Sequence, residues 1–334
     1  MSNNVRFQII DNDEELYSVE NPQIPQIHQI PHLNHETKET NESNNEYKMT
    51  SNIKNLENHE NVKSFDFETY RMKQTAPIKI CILTPCFGGQ CHVNFVMCLM
   101  KTVELFQHLG IHYRIEFCKN DSLVSRARNN LVARAMSDRS VTHVLFIDND
   151  ITWFPADIIK LISADKEVIG GIYPLKMYDW SKINHPDFIP VTLKRKNESD
   201  LRDRISDEKM IKYNLLKYNV NYLEPVLHIE NNIAHVKHIP TGFMLLKREC
   251  ISKMMDIYKE TKYTDDVGFL ENHENEMAYA LFDCGVREGH YFSEDWLFCD
   301  RWSKIGGNIW IDVTVNLTHT GPEDFEGSYI SSII

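Results

Sequence analysis

The chain has 334 residues, 42% of them apolar, and a formal net charge of −12. That length is enough for one large domain or two, with a sizeable core. Residues 1–70 hold 13 Asp and Glu against 5 Lys and Arg, so most of the acidity belongs to the N-terminal segment, and no Lys/Arg stripe argues for nucleic acid. No window approaches about 18 consecutive apolar residues, and the first twenty residues lack a signal-peptide core, so no transmembrane segment and a cytoplasmic location are expected. The eight cysteines form no CxxC pair, which favours free thiols in a reducing setting over a zinc site at Cys81, Cys86 and Cys91.

Residues 1–75 are polar, with "NPQIPQIHQIPHLNHETKETNESNNEY" at their centre. Such a composition cannot offset its ordering entropy, so a largely disordered acidic segment is expected, with "NVKSFDFETYRM" free to pack on a domain spanning 76–334. Order begins at "IKICILTPCFGG", where Ile78–Leu83 predicts a buried strand followed by a loop. "CHVNFVMCLMKTVELFQHLG" predicts a helix stopped by Gly110. "HYRIEFC" is a second strand, and "SLVSRARNNLVARAMSD" a helix capped by Ser122 or Ser125. "HVLFID" is a third strand, "PADIIKLISAD" a helix with Pro155 near its start, and "KEVIGGIYP" a fourth strand. Residues 177–237 are long and polar and read as an insertion or lid. "NIAHVKHIPTGFMLLKREC" predicts strand, loop, strand and then a helix through Tyr258. "SEDWLFCDRWSKIG" predicts a helix entered at Ser293, and "NIWIDVTVNLTH" a last alternating strand. Strands alternating with helices at this spacing predict an α/β fold with a mostly parallel sheet and helices on both faces.

"THVLFIDNDITWFP" aims two carboxylates, Asp148 and Asp150, at the end of a buried strand. Ligands of parallel sheets bind beyond the carboxyl ends of the strands, and residues i and i+2 of an extended chain point to one side. Two carboxylates held together repel, so a cation is expected between them. Oxygen ligands suit Mg²⁺ or Mn²⁺, which usually also hold substrate phosphates. Turn and helix-cap roles fit the same residues equally well.

Taken together, "SRARNNLVARAMSDRSVTHVLFIDNDITWFPADIIKLISADKEVIGGIYPLK", "TPCFGG", "IPTGFMLL", "SEDWLFCDRW" and "LTHTGPEDFEG" resemble, in order and spacing, metal-dependent glycosyltransferases of the GT-A fold, with their Asp-x-Asp motif, and a bacterial and viral branch of them. The resemblance covers roughly 78–327. It implies a Rossmann-like GT-A domain that moves a sugar from a nucleotide-sugar donor, a UDP-sugar first, to a glycan, protein or small-molecule acceptor, with Mn²⁺ or Mg²⁺ as cofactor. It implies donor contacts from Thr84, Pro85, Arg128, Asp148, Asn149 and Asp150, and metal ligation by Asp148, Asp150 and His319. In inverting relatives the Asp of the Glu-Asp pair is the usual base, which implies Asp295, with Glu294 holding it or the acceptor. Tyr291, Trp296 and Gly242 are placed at the acceptor, since sugars stack on aromatic faces. A helix N-terminus favours the charged carboxylate and so counts against Asp295 as a base. Arg126 and Arg134 read as solvated neighbours of Arg128.

Two other readings remain. "FIDNDIT" matches the Asp-x-Asp-x-Thr signature of haloacid-dehalogenase-like phosphatases, with Asp148 as nucleophile, Asp150 as acid and Asp265/Asp266 as the late acidic motif. Two predicted strands before the motif, where that fold has none, argue against it. A catalytically inactive nucleotide-sugar-binding module would require lost metal ligands or base, and both are in place.

Overall fold

The computed structural model describes residues 6–9, 67–199 and 202–333. Of two compact units, one comprises Met1–Ile9 with Ser64–Ile334; the other, Ile10–Lys63, lies outside the described residues, as does most of the segment expected to be disordered. The strands are β1 (Arg6–Ile9), β2 (Lys79–Cys86), β3 (His112–Lys119), β4 (His143–Ile147), β5 (Ile151–Thr152), β6 (Val168–Gly170), β7 (Pro174–Tyr178), β8 (Leu216–Tyr218), β9 (Val226–Glu230), β10 (Ile233–Val236), β11 (Phe243–Lys247), β12 (Gly285–Arg287), β13 (His290–Phe292), β14 (Ile309–Asp312), β15 (Thr318–Thr320) and β16 (Asp324–Glu326). The helices are α1 (Phe67–Lys73), α2 (Val93–Leu109), α3 (Val124–Ser137), α4 (Pro155–Ser163), α5 (Phe188–Glu198), α6 (Asp207–Leu215), α7 (Arg248–Ile257), α8 (Glu294–Lys304) and α9 (Tyr329–Ile333).

Nine strands form one sheet in the order β1-β9-β10-β14-β6-β11-β4-β2-β3. Following the pairings across it, β10 and β11 run against the other strands, so the sheet is mixed but mostly parallel. Both faces are covered, and the strand period of two assigns side chains to them. Cys81 and Leu83 of β2, with Val144 and Phe146 of β4, face a core shared with α3, α7 and α8. Ile80, Ile82, Leu145 and Ile147 face the other core, shared with α1, α2 and α4. The α/β architecture with helices on both faces is therefore as the sequence predicts.

Local differences have local causes. β2 runs on through Cys86, so Thr84 and Pro85 stand in the strand and not in the loop after it. Pairing with β4 stops at Leu83, and beyond it β2 pairs only with β3, where proline's missing N–H is tolerated. Helix α3 starts at Val124 and neither serine caps it; Asp121 Oδ1 accepts the Leu123 N–H at 2.9 Å instead. The final strand is interrupted because Asp312 accepts from the Thr314 N–H (2.8 Å) and hydroxyl (2.7 Å) and turns the chain. Thr318–Thr320 then joins a separate three-stranded sheet, β16-β15-β5. Residues 177–237 include α5 and α6, but β9 and β10 within them belong to the central sheet.

From β2 the chain runs through α2 to the edge strand β3, then returns through α3 to β4 on the other side of β2. The two crossovers lie on opposite faces, which opens a crevice at the carboxyl ends of β2 and β4. Asp148–Asp150 follow β4 at that crevice.

Candidate active site

The motif is a turn and not extended chain. The Ile151 N–H donates to the Asp148 carbonyl at 3.1 Å, and the Asp148 N–H donates to the Gly242 carbonyl at 3.0 Å. The same-side argument for residues i and i+2 therefore does not apply, and the two carboxylates meet different partners. Asn149 sits at the tip. Its Nδ2 donates to the Gln90 carbonyl at 2.6 Å and its carbonyl accepts the His92 N–H at 3.1 Å, which clamps the loop after β2 onto the loop after β4.

Asp148 takes a two-pronged contact from Arg128, Nη1 to Oδ1 at 3.0 Å and Nη2 to Oδ2 at 3.2 Å. The same guanidinium gives its Nε to Glu294 Oε1 at 3.1 Å. The Arg128 side chain is only 5% exposed, and the two carboxylates hold its proton more firmly than usual despite burial. Arg128, which the resemblance directs at the donor, here ties the motif to the start of α8. Its neighbours are not merely solvated: Arg126 pairs with Asp121 and Arg134 with Glu274.

Asp295, one residue into α8 from Glu294, is buried (9% exposed). Its Oδ1 accepts from the Ser293 hydroxyl and from the Trp296 N–H. Burial first, and then repulsion from Glu294, raise its pKa, outweighing the hydrogen bonds and Arg128. Asp295 therefore takes up a proton more readily than an ordinary carboxylate.

Asp150 faces the other way. Its Oδ2 accepts from Lys176 Nζ at 2.6 Å and lies 3.5 Å from His319 Nε2. Burial works against ionisation, but His319 and Lys176 together bring its pKa down to about 2. His319 arrives on β15, whose register sets it opposite Ile151, and its Nδ1 lies 2.9 Å from the Pro174 carbonyl. That contact fixes the ring with Nε2 toward Asp150, the orienting arrangement usual for a ligating histidine.

Tyr173 joins the two halves. It packs edge-on against His319, ring centres 4.9 Å apart. Its hydroxyl is held protonated by burial first and then by Asp148, Asp295 and Asp150, with Arg128 opposing. Gly242 is what lets it close. A Cβ there would stand 2.6 Å from the Tyr173 hydroxyl and 2.8 Å from Asp148 Oδ2. Thr84 and Thr241 are both buried, and each Oγ1 lacks a hydrogen-bond partner. Trp296 stacks on His238 at 5.2 Å, so one of its faces is covered, whereas Tyr291 is 67% exposed. Tyr173, Lys176 and Thr241 were not singled out by sequence. The first two stand in the quoted "GGIYPLK", but nothing in local spacing says that they turn toward Asp148 and Asp150.

Among the described residues no group of three His, Cys, Asp or Glu side chains is arranged to hold a metal ion. Asp150 and His319 converge; Asp148 does not join them, because Arg128 holds both its oxygens. A groove of about 970 Å³ lies elsewhere, lined by Lys182, Phe188, Arg195, Tyr218, Tyr222 and Tyr329.

Fold and site define an α/β protein with a charge-rich centre at the topological switch point of a mixed sheet. No family model matches the chain, and no curated protein matches it. Among solved structures, the crystal structure of A197 from STIV aligns with 73% of this chain and 86% of its own, at 13% sequence identity and a TM-score of 0.40. A likeness of that degree carries no argument about activity. No helix among the described residues is long and apolar enough to cross a membrane.

Proposed function

We infer that the chain is a glycosyltransferase that moves a sugar from a nucleotide-sugar donor, a UDP-sugar first, to an acceptor hydroxyl with inversion, and that it uses a divalent cation. The observation that carries this reading is the Arg128 bridge. One buried guanidinium spans Asp148 and Glu294 and so keeps Asp295 beside the strand end where ligands of such sheets bind. Asp295 takes the proton of the acceptor hydroxyl. The freed oxygen attacks the anomeric carbon, the bond from that carbon to the diphosphate oxygen breaks, and the electron pair leaves with the nucleotide. Tyr291 offers an open aromatic face to the acceptor. Asp150 and His319 are the residues that would hold Mn²⁺ or Mg²⁺. When bound, it supplies positive charge to the departing diphosphate. All eight cysteines are unbonded, which supports a reducing, cytoplasmic setting.

The phosphatase reading loses support. Its nucleophile would be Asp148, whose oxygens are engaged by Arg128. Asp265 instead accepts the N–H groups of Val267, Phe269 and Leu270 and organises its own loop.

The test is nucleotide release from a panel of UDP- and GDP-sugars with Mn²⁺ and candidate acceptors, together with donor affinity. Asp295→Asn is expected to keep donor affinity and lose about 10²–10⁴-fold in transfer. Transfer that survives this change moves the base elsewhere. Phosphate release from simple phosphomonoesters, indifferent to nucleotide sugar, favours the phosphatase. Donor binding with no turnover on any acceptor favours the inactive module.

A further inference from the structure

We propose that Cys86 and Cys91 form a reversible disulfide by exchange with a small disulfide such as oxidised glutathione, and that this bond staples the loop after β2 against the turn that carries Asp148 and Asp150. The modification goes beyond the transferase reading and stands without it, since thiol exchange needs neither donor nor metal.

The two sulfurs lie 3.5 Å apart, and a disulfide brings them to about 2.0 Å. The chain folds back to make them meet. Phe87, Gly88, Gly89 and Gln90 run between the two cysteines, and both glycines have left-handed backbone, with φ of +74° and +66°. Glycine adopts that region without strain, so the chain can reverse within this short loop. Cys81, the third member of the trio that a zinc site would need, is buried in the core on the α3 side of the sheet. What remains is a close pair of thiols, and its members are not equivalent. Cys86 is 2% exposed, whereas Cys91 opens partly to solvent. Burial first, and then the hydrogen bond with Cys91, pushes the Cys86 thiol up to about 12. Cys91 is therefore the thiol that an incoming disulfide meets, and Cys86 closes the bond.

The Cys91 thiolate attacks one sulfur of oxidised glutathione. That S–S bond breaks, and one glutathione leaves as a thiolate and takes up a proton. Cys86 then gives its proton to water and attacks the Cys91 sulfur of the mixed disulfide, and the second glutathione leaves. Two protein thiols are oxidised, and one small disulfide is reduced to two thiols. The place of Cys91 in the chain couples this bond to the site. Its two neighbours are the residues that hold Asn149. The Gln90 carbonyl accepts from Asn149 Nδ2 at 2.6 Å, and the His92 N–H donates to the Asn149 carbonyl at 3.1 Å. Cys86 ends β2, so bonding Cys91 to it fixes the clamp on the turn between Asp148 and Asp150 to the central sheet.

The experiment equilibrates the folded full chain with glutathione buffers from fully reduced to fully oxidised, blocks the remaining thiols with iodoacetamide and maps the linkages by peptide mass spectrometry. A Cys86–Cys91 link is expected, in about tenfold excess over any other cysteine pair. Cys86→Ser is expected to stop at the mixed disulfide, with one glutathione on Cys91. Amide hydrogen exchange over residues 87–92 is expected to slow by about tenfold in the oxidised chain and to recover on reduction with dithiothreitol. A folded chain that forms no Cys86–Cys91 link even in fully oxidised buffer overturns the proposal. So does a link that forms no more readily than those between other cysteines, the mark of random oxidation of an opened chain. A link that leaves exchange over the loop unchanged overturns the staple. None of these outcomes bears on sugar transfer, which the donor panel tests separately.

Discussion

Arg128 is the residue on which most of the site depends. It is buried, it compensates two carboxylates at once, and its planar fork is what allows both contacts. Removing one partner of a buried ion pair leaves uncompensated charge, at a cost of about 3–5 kcal/mol. Arg128→Met is therefore expected to lower the free energy of unfolding by that amount in urea titrations, and Asp148→Asn on the same background to restore part of it. An unchanged midpoint removes Arg128 from this structural role. The sequence placed Arg128, Asp148, Glu294 and Asp295 at the site by resemblance. It did not show that the arginine would be consumed by the carboxylates, because residues 128, 148 and 294 meet only after the sheet has formed.

At the scale of the element, α4 carries a cost that its sequence conceals. Asp157 reads as an ordinary acid in a first helical turn, but the turn packs inward and buries it to 3% exposure. Oδ1 accepts from Lys160 at 2.8 Å, and Oδ2 has no hydrogen-bond partner. Burial pushes its pKa up to about 6, with Asp312 adding to the rise and Lys160 opposing it. An unfolded aspartate titrates near about 3.9, so the folded chain binds the extra proton in between. The stability this proton confers is complete below about pH 4 and is lost as pH rises through about 6, amounting to roughly 2–3 kcal/mol at most. Asp157→Asn is expected to abolish that loss, so its stability relative to the unaltered chain improves from pH 4 to pH 7. A constant difference across that range rules the carboxyl out as the titrating group.

At the scale of the whole molecule, helix α1 extends the folded domain upstream of residue 76. Phe67 and Tyr70 are buried in the core shared with α2 and α4, and the Tyr70 hydroxyl lies 3.2 Å from His143 Nε2. His143 is kept neutral, its pKa taken down to about 4 by burial and Lys247. A chain started at residue 76, the boundary composition favours, forgoes two buried aromatic side chains worth roughly 1.5–3 kcal/mol each. It is expected to melt well below a chain started at Ser64, as read by circular dichroism. Equal melting temperatures make α1 dispensable. The helix was hard to see because it spans two turns, and its two apolar anchors follow a long polar stretch.

What the sequence determined by itself is what depends on neighbours along the chain. Short apolar, β-branched runs gave the strands, with alternation only in the last. Helical spacing with Gly110, Pro155 and Ser293 gave the helices between them. Their alternation gave the α/β sheet, and the Asp148–Asp150 stretch marked the end of one of its strands. The tertiary structure decided which charges meet. It bent the motif into a turn, so its carboxylates part company, Asp148 to Arg128 and Asp150 to Lys176 and His319. It raised Asp295 by burial where its helix-end position alone would lower it. Strand and helix periods are local and survive in the linear text, whereas burial and ion pairing belong to residues brought together from 20 to 170 positions apart.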